Sequence, residues 1–228
     1  VNKTIEAKNL VKIFQMGEAK VAALDGVDVS IEPGEFVAII GPSGSGKSTL
    51  MNLLGCLDTP TGGEYFIDGQ NVAHMDRDEL AKVRNKKIGF VFQKFHLLPD
   101  LTALDNVALP ALYAGVKEKE AKKLAYEKLK IVELSDRTHH FPYQLSGGQQ
   151  QRVAIARSLI NNPRMLFADE PTGNLDSKTG LAIMQLFKQL NEQEKVTVIM
   201  VTHEPEIARQ AMRIITIRDG KIISDKRT

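Results

Sequence analysis

The stretch FVAIIGPSGSGKSTL, Phe36 to Leu50, decides the fold. Phe36 to Ile40 is a short continuous apolar run. A turn, Glu32-Pro33-Gly34-Glu35, precedes it and a glycine follows it, which is the pattern of a strand buried on both faces of a parallel sheet. Next comes Gly41-x-x-x-x-Gly46-Lys47-Ser48, and then Leu50, Leu53 and Leu54 recur at helical spacing. Strand, glycine-rich loop and helix in this order form a phosphate cradle. Backbone N–H groups along Gly41, Ser43, Gly44, Ser45 and Gly46 can wrap phosphate oxygens, and Lys47 reaches the β and γ groups. The Ser48 hydroxyl can ligate Mg²⁺, while Thr49 offers its N–H and hydroxyl to the α-phosphate. A chance glycine-rich turn is the bland alternative, and the strand before it and the helix after it argue against that reading.

Three more apolar runs extend the pattern: IGFVF (Ile88 to Phe92), MLFAD (Met165 to Asp169) and TVIMVTH (Thr197 to His203). With the first they predict four central parallel strands. Ligands of open α/β sheets sit at the carboxyl ends of the strands, so the residues ending these runs become candidates. Asp169 suits Mg²⁺ held through water, and Glu170 suits orienting or deprotonating an attacking water. His203 is a candidate contact to the γ-phosphate, and Gln93 can reach the metal or the water. In isolation, an Asp-Glu pair reads as a solvated helix start and a lone histidine as structural, as His74, His96, His139 and His140 are read here. Position at strand ends, in a chain with a phosphate cradle, reverses those odds.

Ile5 and Ala7, then Val27, Val29 and Ile31, alternate with polar residues as half-buried strands do. They predict an antiparallel β subdomain at the N-terminus. Lys117 to Leu134 places Ala121, Leu124, Ala125, Leu129 and Val132 on one helical face, and Thr102-x-x-Asp105 reads as a capping box opening another helix. Residues 95–142 are therefore expected to form a helical insertion, with 1–94 and 143–228 making an α/β core and β subdomain within one domain. Asp219-Gly220 predicts a hairpin turn near the end of the chain.

Composition narrows the class. With 228 residues at 43% hydrophobic content, the chain can bury a substantial core. A formal charge of +2 from 30 basic and 28 acidic residues lacks the electrostatic footprint of a dedicated nucleic-acid binder. The single cysteine, Cys56, excludes an internal disulfide and a cysteine zinc cluster, fits a reducing compartment, and is read as a core residue. No apolar run is long enough to span a bilayer and the first residues show no signal-peptide pattern, so any membrane role is expected to come through a partner.

A second stretch, LSGGQQQRVAIARSL (Leu145 to Leu159), sets Ser146, Gly147 and Gly148 before another predicted helix, which again is the layout of an anion site. LSGGQ, together with the P-loop, Gln93, MLFADE, Asn174-Leu175-Asp176 and His203, resembles the ATP-binding subunit of an ABC transporter, a P-loop NTPase, over essentially the whole chain. Finer phrases, NLLGCLDTPTGGE (52–64), GFVFQKFHLLPDLTALDNVALP (89–110) and FADEPTGNLDSKTG (167–180), resemble the macrolide-export and lipoprotein-release subfamily.

The resemblance implies a reason for two anion sites. In that family two subunits pair head to tail, and each ATP lies between one chain's P-loop and the other's LSGGQ, so Ser146, Gly147, Gly148 and Gln149 would grip the γ-phosphate held by a partner. It implies further that Phe14 stacks on adenine where tyrosine is common, that Asp176 joins the two sites, and that Gln93 links nucleotide state to the insertion. The insertion would receive a separate integral membrane permease at the cytoplasmic face, in a Mg-dependent ATP hydrolase driving export or mechanical transmission. A soluble ABC-type ATPase acting on DNA or ribosomes is the alternative. The short spacing from Lys47 to Leu145 leaves no room for the long coiled coils of chromosome-maintenance relatives, and one cassette per chain differs from translation-factor relatives. Cargo contacts would lie in the permease.

Overall fold

A computed structural model describes residues 3–228. In chain order the elements are β1 (Ile5–Met16), β2 (Ala19–Ile31), β3 (Phe36–Ile40), α1 (Lys47–Leu54), β4 (Gly62–Ile67), β5 (Gln70–Asn71), α2 (Arg77–Lys87) and β6 (Ile88–Phe92). Then follow α3 (Ala103–Tyr113), α4 (Glu118–Ile131), α5 (Gly147–Leu159), β7 (Met165–Asp169), α6 (Ser177–Glu194), β8 (Thr197–Val201), α7 (Pro205–Ala208), β9 (Arg213–Arg218) and β10 (Lys221–Arg227). They build a six-stranded sheet, ordered β10-β9-β3-β8-β7-β6, and a four-stranded antiparallel sheet, ordered β2-β1-β4-β5.

The continuous apolar runs are explained by burial on both faces. Phe36, Ala38, Leu166, Ala168, Val198 and Met200 point into a core shared with α3 to α6. Their alternates Val37, Ile39, Met165, Phe167, Ile199 and Val201 point into a second core shared with α1 and the antiparallel sheet. Strands covered on both sides cannot show a polar alternation. β9 pairs in parallel with β3, so it is a fifth parallel strand, and only β10 is antiparallel, joined to it through Asp219 and Gly220, both at positive φ. The alternation of β9 and the turn after it read as a plain hairpin in sequence.

Parallel register aligns the strand ends. Phe92 stands opposite Asp169, Asp169 opposite Val201, Val201 opposite Ile39, and Ile39 opposite Ile215. Gln93, Glu170, the Thr202-His203 pair and Gly41 therefore leave the sheet along one edge. β8 ends at Val201, two residues short of His203, and Thr202 N–H adds a last ladder bond to Ile39 O of β3 at 3.2 Å.

Between β6 and β7 the chain forms helices, as the periodicity predicts. α4 buries Ala121, Ala125 and Leu129, with Val132 buried just beyond it. Thr102 caps α3 by accepting from Asp105 N–H at 3.2 Å, but its hydroxyl donates to the Asp105 carboxylate at 2.6 Å. A capping box would instead return that carboxylate to the Thr102 N–H.

The two sheets meet at α1. Tyr65 of β4 is buried, and its hydroxyl donates to Leu54 O at the end of α1. Removing that donor leaves a buried helix-terminal carbonyl unpaired, at a cost of about 1–3 kcal/mol. Tyr65→Phe should lower the urea-unfolding free energy by that amount with an unchanged m-value; a loss under about 0.3 kcal/mol would show that the bond holds nothing in place.

Candidate functional site

The P-loop joins β3 to α1. Gly46 precedes α1 at φ +102°, and a Cβ there would lie 2.5 Å from Ala23 O; a Cβ at Gly41 would lie 2.1 Å from Ile217 O. Both approaches are to backbone, so glycine is required at these two points. The loop is pinned from outside by Gly220 N–H donating to Ser45 O at 3.0 Å and by Asp25 N–H donating to Gly220 O at 3.0 Å.

Lys47 is buried, and its Nζ donates to Gly41 O at 2.9 Å and Pro42 O at 2.8 Å. The ammonium is thus folded over the loop by carbonyls that a phosphate can replace with charge-assisted bonds. Ser45 Oγ is buried without a hydrogen-bond partner among the described residues. An orphaned hydroxyl inside an N–H-lined loop at the start of α1 fits a phosphate oxygen. Ser48 and Thr49 follow on the first turn of α1, with Ser48 exposed.

At the end of β7, Asp169 is half-buried. Burial pushes its pKa up, the adjacent Glu170 raises it further, and Lys47 pulls it back. A carboxylate desolvated in this way fits a hard cation. Glu170 occupies φ +44°, rare for a residue with a side chain. Its N–H donates to Val201 O at 2.9 Å, and its carbonyl accepts from Gly173 N–H at 3.0 Å. Its Oε1 lies 2.8 Å from His203 Nδ1. A carboxylate only accepts here, so Nδ1 carries the proton and Nε2 faces outward.

Gln93 is turned toward Asn174. Its Nε2 donates to Asn174 Oδ1 at 3.3 Å, and Asn174 Nδ2 donates to Gln93 O at 2.9 Å. Gly173 makes room, since a Cβ there would lie 2.6 Å from Gln93 Nε2. The structure thus brings Asp169, Glu170, His203, Gln93 and the P-loop to one edge.

The second candidate anion site lies on a different element, at the start of α5. Ser146 caps α5: it accepts from Gln149 N–H at 3.3 Å, while Gln149 Oε1 accepts from Ser146 N–H at 2.9 Å. The hydroxyl proton of Ser146 and the N–H groups of Gly147 and Gly148 at the first turn remain to meet an anion. A Cβ on Gly147 would lie 3.4 Å from Leu175 Cδ2, and one on Gly148 only 2.4 Å from Thr179 Cγ2. Thr179 in turn donates to Asp176, which caps α6, and these bonds hold the exposed Asp176 carboxyl below its ordinary range. The starts of α5 and α6 are therefore packed together within one chain. Thr179, Asn174 and Gln151 were missed as functional candidates. Asn174 sits inside a quoted motif, and Gln151 falls on the same helical face as Ile155 and Leu159, where a polar residue is out of place.

Phe14 lies on β1 opposite Val21, two residues from the Ala23 that touches Gly46. It is 40% exposed, beside exposed Ile13 and Val21, and Lys12 Nζ stands 5.1 Å from its ring centre.

The ABC transporter family model matches residues 24–173. An ABC transporter ATP-binding protein of Thermotoga maritima is 56% identical over 222 residues, 97% of this chain and 94% of that one. The macrolide export ATP-binding/permease protein MacB of Photorhabdus laumondii is 54% identical over 228 residues, 100% of this chain but 35% of that longer one. A solved dimeric structure of the ATP-binding cassette MJ0796, in a post-hydrolysis state bound to ADP and Pi, superposes with a TM-score of 0.90 at 52% identity, covering 98% of each chain. The chain belongs to the ABC transporter family, as its ATP-binding and ATP-hydrolysing subunit.

The packing of Gly148 on Thr179 can be tested by repair. Gly148→Ala should cost about 1–3 kcal/mol by overpacking, and adding Thr179→Ser, which keeps the hydroxyl and removes Cγ2, should recover most of it in urea denaturation. Additive losses in the double variant would disprove the contact.

Proposed function

We propose that this chain hydrolyses Mg-ATP in two composite sites of a head-to-tail homodimer and so drives a separate membrane permease of the macrolide-export type. The observation that carries the reading is the edge where Glu170, clamped to His203, stands beside the P-loop and Asp169, while a second anion site on α5 lies in another part of the same chain. The dimeric MJ0796 cassette and the relative MacB, an ATP-binding/permease protein, support the pairing and the partner.

The geometry supports a role for each residue. Lys47 leaves its loop carbonyls for the β and γ phosphates, with Ser43, Gly44, Ser45, Ser48 and Thr49 completing the cradle. Ser48 and Asp169, joined by Gln93 when it turns from Asn174, would hold Mg²⁺, which when bound neutralises phosphate charge. With Oε1 of Glu170 held by His203, Oε2 is the oxygen left to take a proton from the attacking water. His203 donates to Glu170 through Nδ1, so its Nε2 donates to a γ-phosphate oxygen only as the imidazolium. Phe14, among exposed apolar neighbours next to the loop, presents its ring to the base.

Residues 95–142 form the helical insertion. Between it and the core runs a groove of about 1010 Å³, lined by Arg84, Phe90, Phe92, His96, Tyr113 and Arg157, none of which belongs to the phosphate site. This groove takes the permease. Among the described residues no helix is long and apolar enough to cross a membrane; the place proposed for the chain is peripheral, at the cytoplasmic face, through that partner.

The test combines chemistry and pairing. Glu170→Gln should bind ATP normally and lose two or more orders of magnitude in turnover. In that background ATP, but not ADP, should give a dimer by sedimentation, and adding Ser146→Arg should abolish it while leaving monomer affinity for ATP unchanged. Turnover within a few-fold of wild type would remove Glu170 from its role, and a large loss of monomer affinity in the Ser146 variant would place both anion sites in one chain.

A further inference from the structure

Gln151 lies on α5, one helical turn from Gly147 and Gly148, and is completely buried. Its Nε2 donates to Pro171 O at 2.7 Å, whereas its Oε1 has no hydrogen-bond partner among the described residues. Exchanging the two amide atoms would set Oε1 against Pro171 O, acceptor against acceptor, so chemistry fixes the orientation. A methionine would fill the same volume without burying an unpaired oxygen. A polar group kept in a core at a cost in stability, with one directed bond to show for it, marks a position where geometry is being specified.

The geometry in question is that of Glu170. Pro171 follows it directly, and Glu170 sits at φ +44°, a backbone conformation that persists only where its surroundings impose it. Two of its restraints are backbone bonds: its N–H donates to Val201 O at the end of β8, and its carbonyl accepts from Gly173 N–H within the turn that follows. His203 restrains the side chain. The bond from Gln151 differs in coming from the helix that begins at Ser146.

We propose that Gln151 is a positioning residue for hydrolysis: its bond to Pro171 O fixes the Glu170-Pro171 peptide relative to α5, so that engagement of Ser146 by a partner's γ-phosphate sets the carboxylate of Glu170 in its own chain. This rests on the roles proposed above for Glu170 and Ser146. It makes each chain's water-orienting group responsive to the nucleotide held by the other chain, through a single side chain that touches neither substrate nor metal. A merely structural glutamine would affect the amount of folded protein, or dimer formation, but not the turnover of each folded dimer.

The experiment uses Gln151→Met, which preserves volume and removes the donor, with Glu170→Gln alongside. Folded fraction is checked by thermal denaturation. The expected result is a fall in kcat of about tenfold or more with KM for ATP within about twofold, since misplacing a reacting group acts on the chemical step. Dimerisation with ATP in the Glu170→Gln background should be unchanged by adding Gln151→Met. If the methionine variant does not fold, Gln151→Asn, which keeps an amide and shortens its reach, should show the same split. A kcat within twofold of wild type in a folded variant, or loss of dimerisation in step with loss of turnover, overturns the proposal. Should Glu170→Gln itself turn over normally, the role of Glu170 fails instead, which separates the two outcomes.

Discussion

The parallel register of β3, β8, β7 and β6 is the constraint on which the rest depends. It sets Ile39, Val201, Asp169 and Phe92 in one row, so the next residues of four strands emerge together at one edge. No long loop has to be ordered to bring Gly41, His203, Glu170 and Gln93 near one another. The sheet is held between two cores, and its strands pay no polar penalty for lying between them. A slip of one residue in any of these pairings would exchange the two cores' side chains and move a site residue off the row.

At that edge the chain keeps several groups in arrangements that residue type and burial alone do not favour. Glu170 is held at positive φ, Ser45 keeps a buried hydroxyl unpaired, and Asp169 is desolvated beside another carboxylate. Each fits the proposed Mg-ATP site, which would offer a phosphate oxygen to the hydroxyl and a cation to the carboxylate and leave Glu170 to orient the attacking water. The signature end of α5 is built differently. Ser146 and Gln149 bond to each other there, and Gly148 lies against Thr179, so that the starts of α5 and α6 form one packed surface. Such a surface is suited to being presented to another chain, and the edge of the sheet to receiving it.

Much of this is legible in sequence because it is written locally. Apolar runs show the buried strands, the spacing of Gly41, Gly46 and Lys47 shows the cradle, and the stripe from Ala121 to Val132 shows α4. Pairings between distant segments have no such signature. The parallel partnership of β9 with β3, the His203–Glu170 clamp and the mutual bonds of Gln93 and Asn174 join residues far apart in the chain. The positive φ of Glu170 is imposed by tertiary bonds, not by residue type, and so has no local cue. Gln151 is the intermediate case, since its place on an apolar face could be read but its partner, Pro171, could not.

The central claim, that a working site needs two chains, can be read from the unmodified protein by measuring ATPase rate against chain concentration, with sedimentation at each point. Pairing predicts a rate that is second order in chain on dilution, so that activity per chain falls toward zero where the protein is monomeric in ATP and levels off where it is dimeric. Activity per chain that stays constant into the monomeric range would contradict it.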